Sequence, residues 1–363
     1  MKRWRLMVAA PLLALVFALV VAGVLLAATG HPPLQVFSDM YSYGTQPDNL
    51  VLTLNKATTY YLSAIAVAIG FRMNLFNIGV DGQYRIAAII AAWVAGALRL
   101  APILDVAVVM VVAIAVGALW AGIAGLLKVK RGVSEVISTI MLNYIATGLT
   151  AYLLTPGRLA VSVEGSQNIG TRPIPPNGQV PGMSIIGGAT TQVYGLIFLS
   201  AAVGILYWFL LNRTVFGFDL RATGRSETAA VASGVNVKKM ILISMLLSGG
   251  VAGLISLPQL LGEVYTYSQD FPAGIGFVGI SIALLGRNHP IGIAFGALLW
   301  AFLDTSQIIL DASGVPKEIV TIMQGVAVLS VVIAYELVRR YGLVQQQRHV
   351  GQQDVSQPES VPV

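Results

Sequence analysis

Cysteine is absent from the 363 residues, which excludes disulfides and thiolate metal ligation. Charge is scarce as well. Asp, Glu, Lys and Arg make up 10% of the chain, against about 25% in soluble domains. With 56% hydrophobic residues there is too little polar surface to face water, so the bilayer is the expected solvent. No G-x-x-x-x-G-K-[ST] phosphate loop occurs, which excludes ATP hydrolysis by that route within this chain. Histidine is confined to His31, His289 and His349, too scattered for a metal site. The net charge of +6 reads as a membrane-topology signal and not as a nucleic-acid surface.

What the chain does have is long apolar runs. They fall near 6–28, 51–70, 83–100, 102–127, 133–155, 193–211, 241–261, 273–286, 290–310 and 317–338. The reading is an all-α polytopic membrane protein with about ten transmembrane helices. The basic start followed by Leu6 to Ala28 also fits a signal peptide, but the run is long enough to span about 30 Å of hydrocarbon, so residues 1–30 are expected to be an uncleaved first helix. Placing the N-terminus inside and alternating leaves only Lys56, Arg99, Arg158, Arg172 and Lys317, of 22 basic residues, outside. That bias favours both termini in the cytoplasm.

The segment 156–192, rich in Pro, Gly, Ser and Asn, reads as an irregular extracytoplasmic loop, and 345–363 as a polar, unstructured cytoplasmic tail. An internal repeat aligns "GALWAGIAGLLKVKRGVSEVISTIM" (117–141) with "GALLWAFLDTSQIILDASGVPKEIVTIM" (296–323), matching Gly132-Val133 to Gly314-Val315. In the alternating topology the first copy turns inside and the second outside, so the repeats are inverted, as in many transporters.

Three stretches break the apolar pattern. "GIGFVG" (274–279) has dinucleotide-loop spacing but precedes a membrane helix, so its glycines are expected to let helices approach closely. "FRMNLFNIGVDGQYR" (71–85) is a cytoplasmic turn or a broken helix lining a substrate route. On the second reading Asn74, Phe76, Asn77 and Gln83 offer amides and ring faces to the path, and Phe277 and Ser281, at a comparable helix start, face them. Asp304 is the one acid well inside an apolar run, and a local structural or gating role is expected rather than proton coupling. The third stretch is "RATGRSETAAVASGVNVKK" (221–239), polar and small. Glu227 to Ala232 is predicted to be helical, with Ser226 as N-cap and Gly234 as terminator.

That last stretch resembles the cytoplasmic coupling helix of ABC importer permeases in the branched-chain amino acid, ribose and nucleoside group. Arg221-Ala222, Gly224, Ala229-Ala230 and Gly234-Val235 look like its R-A-x-G, A-A and G-I/V signature. "FNIGVDGQ" (76–83) is similar to its F-N-I-G-x-E-G-Q motif with Asp81 for Glu, and "GVSEVISTIMLNYIA" (132–146) and "GIGFVGISIALLGRNHPIGI" (274–293) look like further hallmarks. The resemblance extends over 50–340 and is strongest to permeases of nucleoside or simple-sugar importers that work with Bmp-type lipoproteins. It implies a multi-pass subunit of the cell membrane that is not itself an enzyme and binds no cofactor. ATP and Mg²⁺ would be used by a separate ATPase docked at about 221–235 through Arg221, Ala222, Gly224, Glu227, Ala229, Ala230 and Gly234. A related second permease and an extracytoplasmic substrate-binding lipoprotein would complete the importer, with membrane lipid as the remaining neighbour and no nucleic acid. Nucleosides are the substrate this implies. A sugar or branched-chain amino acid, or an ion-coupled transporter acting alone, are the alternatives.

Overall fold

The computed structural model describes residues 2–162 and 169–354. They divide into two compact units, one formed by both ends of the chain (up to Tyr41 and from Gln307) and one spanning Ser42–Ser306. In the first unit α1 (Lys2–Ala28) packs along α14 (Lys317–Asp354). Gly30, at φ +81°, turns the chain after α1 and lets it bend by 116° into α2 (Pro33–Gly44). The carbonyls of Leu25 and Leu26 accept from the Thr29 hydroxyl at 3.0 and 2.9 Å, beside backbone bonds from Thr29 and His31. Because α14 continues through Asp354, the first ten residues of the polar tail are helical where the sequence reads as unstructured; 355–363 lie outside the described residues.

The second unit is built on α3 (Pro47–Phe71), α4 (Val80–Ala97), α5 (Pro102–Arg131) and α6 (Glu135–Leu153), followed by a short antiparallel ribbon of β1 (Ala160–Ser162) and β2 (Ile169–Thr171). Then come α7 (Ile197–Arg213), α8 (Val215–Arg225), α9 (Glu227–Ala232) and α10 (Val237–Gly253). The chain continues through α11 (Leu257–Gln259) and a π-helical turn, Leu260–Val264, to α12 (Ile275–Leu285) and α13 (Pro290–Ala312), whose end belongs to the first unit. The ends of α5 show why such boundaries fall where they do. Pro102 and Asp105 suit a helix start, whereas Lys128, Lys130 and Arg131 face the negative end before Gly132 leaves in the left-handed conformation at φ +68°. Gly314, its partner in the internal repeat, does the same at φ +81°.

All ten apolar runs carry helix, but among the described residues only five helices are long and apolar enough to cross a membrane, or seven if two bent pairs each count as one. α3 and α4 reach the length with 25 and 18 residues but are too polar, and α12, with 11, is too short. The reason is burial. α3 and α4 face other helices on most sides, so Asn55, Thr58, Ser63, Asp81 and Gln83 are tolerated within them.

Small residues bring α5 and α10 together. A Cβ at Gly117, Gly249 or Gly253 would collide with backbone or an alanine methyl of the facing helix, so Gly249-x-x-x-Gly253 seats directly on the stripe Ala113, Gly117, Ala121. The 156–192 segment is less irregular than its composition implies. Besides the β1–β2 ribbon, Thr171, Ile174 and Val180 donate backbone hydrogen bonds to Tyr267, Tyr265 and Leu261 at 2.8–2.9 Å. This stitches the segment to the π turn and the residues just after it.

Candidate functional site

α3 ends at Phe71, yet the residues that follow do not leave the bundle. Asn74 adopts φ +59° and reverses the chain, with Met73 and Leu75 both donating to the Gly70 carbonyl. The chain then runs back beside α3. The Asn77 amide donates to Ser248 Oγ at 2.8 Å, and Ser248 Oγ donates to the Ala66 carbonyl at 2.6 Å. Ala66 lies five residues before Phe71, about 8 Å along the axis at 1.5 Å per residue. The 71–85 stretch is therefore a re-entrant break, and α4 begins inside the bundle.

Such a break exposes backbone groups that need partners. Asn77 and Gln83 pair their amides reciprocally at 3.0 and 2.9 Å, and Asn77 Oδ1 also accepts from Gly79 N at 3.1 Å. From α6, Asn143 accepts from Gly82 N at 2.8 Å and donates to the Ile78 carbonyl at 2.9 Å. Asn77 is fully buried, and both its amide hydrogens are used.

α12 starts at the same level. Eleven residues make about 16 Å of helix, half a membrane span. Its Gly276 N–H donates to Asp81 Oδ1 at 3.3 Å, and Ser63 Oγ donates to the Ile275 carbonyl at 2.8 Å. Any side chain at Gly276 would strike Asp81, and any at Gly279 would strike Ser63, so these glycines perform the close-approach role expected of them. The Asp81 carboxylate, 3.2 Å from Arg85, thus sits at the positive ends of both α4 and α12, where a negative charge is favoured. Two buried helix starts meet around one acid.

The six pathway candidates separate by accessibility. Asn77 and Gln83 are buried and hold the break together. Asn74, Phe76 and Phe277 are exposed, and Ser281 is half-buried one turn after Phe277 on the same face of α12. Phe76 meets Phe71 edge-on at 5.2 Å between ring centroids.

The 221–239 stretch is also resolved into parts. α9 covers Glu227–Ala232, with Ser226 Oγ accepting from Ala229 N at 3.3 Å and Gly234 at φ +84°, as the capping pattern predicts. Arg221, Ala222 and Gly224, however, belong to α8. Ser226, extended at φ −161°, makes a corner between α8 and α9, so 221–235 is not one helix. On α9, Ala230 is buried, whereas Glu227, Ala229 and Val231 are exposed, as is Gly234 just beyond its end.

Several residues of this site carry little signal in sequence. Ser248 and Ser63 look like ordinary small residues of apolar helices, and only the bundle shows what they bind. Asn143, a lone amide in the apolar run of α6, is the one a reader could have singled out. Asp304 is paired with Lys56 Nζ at 2.6 Å and the Tyr60 hydroxyl at 3.1 Å. Lys56 lies within α3, in the apolar run at 51–70.

Residues 49–332 match the family model described as the branched-chain amino acid transport system / permease component. The chain is 32% identical to a guanosine ABC transporter permease of Bacillus subtilis, covering 90% of this chain and 93% of that protein. It is 30% identical to a glucose ABC transporter permease of Haloferax volcanii, over 91% and 88%. A second guanosine ABC transporter permease of Bacillus subtilis is 29% identical over 71% and 81%. No solved structure matches the chain.

Proposed function

The chain belongs to the permease components of branched-chain amino acid transport systems, and from that membership we propose that it forms half of the translocation pathway of an ATP-driven nucleoside importer. It is a multi-pass protein of the cell membrane and a transport subunit, not an enzyme. A partner ATPase uses ATP and Mg²⁺, docking on the α8–α9 corner through Arg221, Ala222, Gly224, Glu227, Ala229 and Gly234, while Ala230, buried beneath them, packs α9 onto its own bundle. The exposed small side chains of Ala229 and Ala232, one turn apart on α9, support this, since small side chains admit a close-fitting groove.

The reading of the pathway rests above all on the paired helix starts of α4 and α12. A turn that merely reverses the chain in water has no need to re-enter a bundle. A re-entrant break with exposed rings and amides suits an uncharged ligand with flat faces and many hydrogen-bonding groups. Asn74, Phe76, Phe277 and Ser281 face the path, and Asn77 and Gln83 keep its wall in place. A nucleoside fits this chemistry, and two of the relatives above carry guanosine in their names. The glucose relative supports a simple sugar as the second reading, with a branched-chain amino acid behind it.

The remaining parts of the reading are ten crossings in inverted repeats, both termini in the cytoplasm, and pairing with a related second permease beneath a substrate-binding lipoprotein. Two distinct guanosine permeases in one bacterium favour the heterodimer. The test is reconstitution with the ATPase, second permease and binding protein in proteoliposomes. ATP-dependent uptake of tritiated guanosine, competed by other nucleosides and not by glucose, is expected. Competition by glucose alone would move the substrate to sugars. Uptake by this chain alone, collapsed by an ionophore, would overturn the importer reading in favour of a secondary transporter.

A further inference from the structure

The break and the docking corner touch. Gly224 of α8 packs so closely on the backbone that follows α3 that a Cβ there would collide with the Arg72 carbonyl oxygen and lie 3.0 Å from Met73 Cα. The Arg72 side chain reaches the other way. Its Nη2 donates to the Asn288 carbonyl at 2.7 Å, in the turn between α12 and α13. The Tyr207 hydroxyl of α7 donates to the same carbonyl at 2.9 Å.

This turn is held against its own preference. Arg287 and Asn288 both take φ +54°, a left-handed pair without glycine that costs energy unless neighbours impose it. The junction also contains buried polar atoms with no hydrogen-bond partner: Arg72 Nε, Asn288 Oδ1 and, one turn before Gly224 on α8, Arg221 Nη1. Buried donors and an acceptor left unpaired beside a strained turn leave room for a second arrangement in which more of these bonds are made.

We propose that Arg72 is the positioning residue through which movement of the α8–α9 corner reaches α12. Its main chain receives the push at Gly224, and its guanidinium passes it to the turn that ends α12. Since α12 is only 11 residues long and is anchored at its start by Ser63 and Asp81, a shift at its end tilts the face that carries Phe277 and Ser281. This inference rests on the importer reading but names a residue and a route that the docking assignment does not contain. Arg72 touches no substrate. It couples one element to another.

The test uses the assembled importer, and the absence of cysteine allows site-specific spin labels at His289→Cys in the turn and Tyr144→Cys on the exposed face of α6. In the wild type the distance between them is expected to change on adding ATP with vanadate. In Arg72→Gln the ATPase should still co-purify and hydrolyse ATP within about twofold of wild type. Guanosine uptake should fall at least tenfold and the distance change should vanish, with Arg72→Lys restoring at least a third of the uptake. Arg72→Met, which keeps the aliphatic stem but loses the donor to the Asn288 carbonyl, should uncouple in the same way and stands in if Arg72→Gln does not fold. Normal uptake in both variants, or loss of ATPase binding in parallel with uptake, would overturn the proposal. A wild-type complex that shows the distance change but no guanosine uptake would count against the nucleoside reading and leave the Arg72 route standing. One that shows neither uptake nor nucleotide response in any substrate class would sink the importer reading itself.

Discussion

At the scale of single residues, the same polar chemistry serves two purposes according to burial. Asn77 has no exposed surface, and its removal leaves Gln83, Ser248 and Gly79 N–H short of a partner. Each unpaired buried group costs about 1–3 kcal/mol, at the lower end in a bilayer where an unfolded segment also finds partners. Asn77→Ala is therefore expected to lower the thermal midpoint in detergent, measured by differential scanning fluorimetry. Phe277→Ala, at a half-exposed position, should leave the midpoint unchanged and alter uptake rate or nucleoside preference. The reverse pattern would put Phe277 in the framework and Asn77 on the path. The Lys56–Asp304 pair belongs to the same scale. Its side chains are 30% and 27% exposed, between the surface and buried limits, so Asp304→Asn should cost about 1–3 kcal/mol. Lys56→Met with Asp304→Leu should recover most of that stability and retain uptake. Uptake lost in a stable double variant would show that the charge itself takes part in transport.

At the scale of elements, loops are held by a few anchors. Asp48, in the first turn of α3, accepts hydrogen bonds from the backbone and hydroxyl groups of Thr190 and Thr191 at 2.7–3.0 Å. The backbone bond from Thr191, followed by that from Thr190, holds its carboxyl below the usual carboxylate range. Met183 and Val193 exchange backbone hydrogen bonds at 2.8 and 3.0 Å and close residues 183–193 into a hairpin. The depressed folded value of Asp48 contributes to docking of that hairpin above the ordinary carboxylate pKa, and that contribution is lost as the pH falls through the folded value. A spin label at Ile185→Cys should accordingly be restrained at neutral pH and mobile once the pH is well below about 4, the ordinary carboxylate value. Asp48→Asn should mobilise it at both. A line shape indifferent to pH would remove Asp48 as the anchor. The α8–α9 corner obeys the same local logic, with one serine and one glycine defining α9, and the exposed Ala229 gives its test. Ala229→Trp should block ATPase co-purification without lowering membrane abundance, whereas a protein that still binds its ATPase would move the docking face elsewhere.

At the scale of the whole molecule, the question is how many segments cross and how many chains meet. Among the described residues five to seven helices pass as spans on their own composition, and α3, α4 and α12 reach their places only because others cover them. Reporter fusions at both termini should be active in the cytoplasm and silent outside, and a fusion after Gly187 should show the opposite pattern. Co-purification is expected to yield this chain with a different permease and an ATPase. Full uptake from this chain and the ATPase alone would make the transporter a homodimer.

Hydrophobic runs, the basic-residue bias, the capping pattern of α9 and the small residues of "GIGFVG" are local properties, and they determined the helical membrane class, the helix at 227–232 and the close packing at Gly276 and Gly279. Composition alone could not tell a turn outside the bundle from a break folded back into it, because the polar residues of 71–85 suit either. That decision lies with Ser248, Ala66 and Asn143, which are more than fifty residues distant from Asn77 or indistinguishable from other apolar-helix residues. The corner at Ser226, the meeting of α4 and α12 at Asp81, and the link from Gly224 through Arg72 to Asn288 are likewise properties of packing. Each depends on which backbone lies within a hydrogen bond of another, and sequence periodicity carries no record of that.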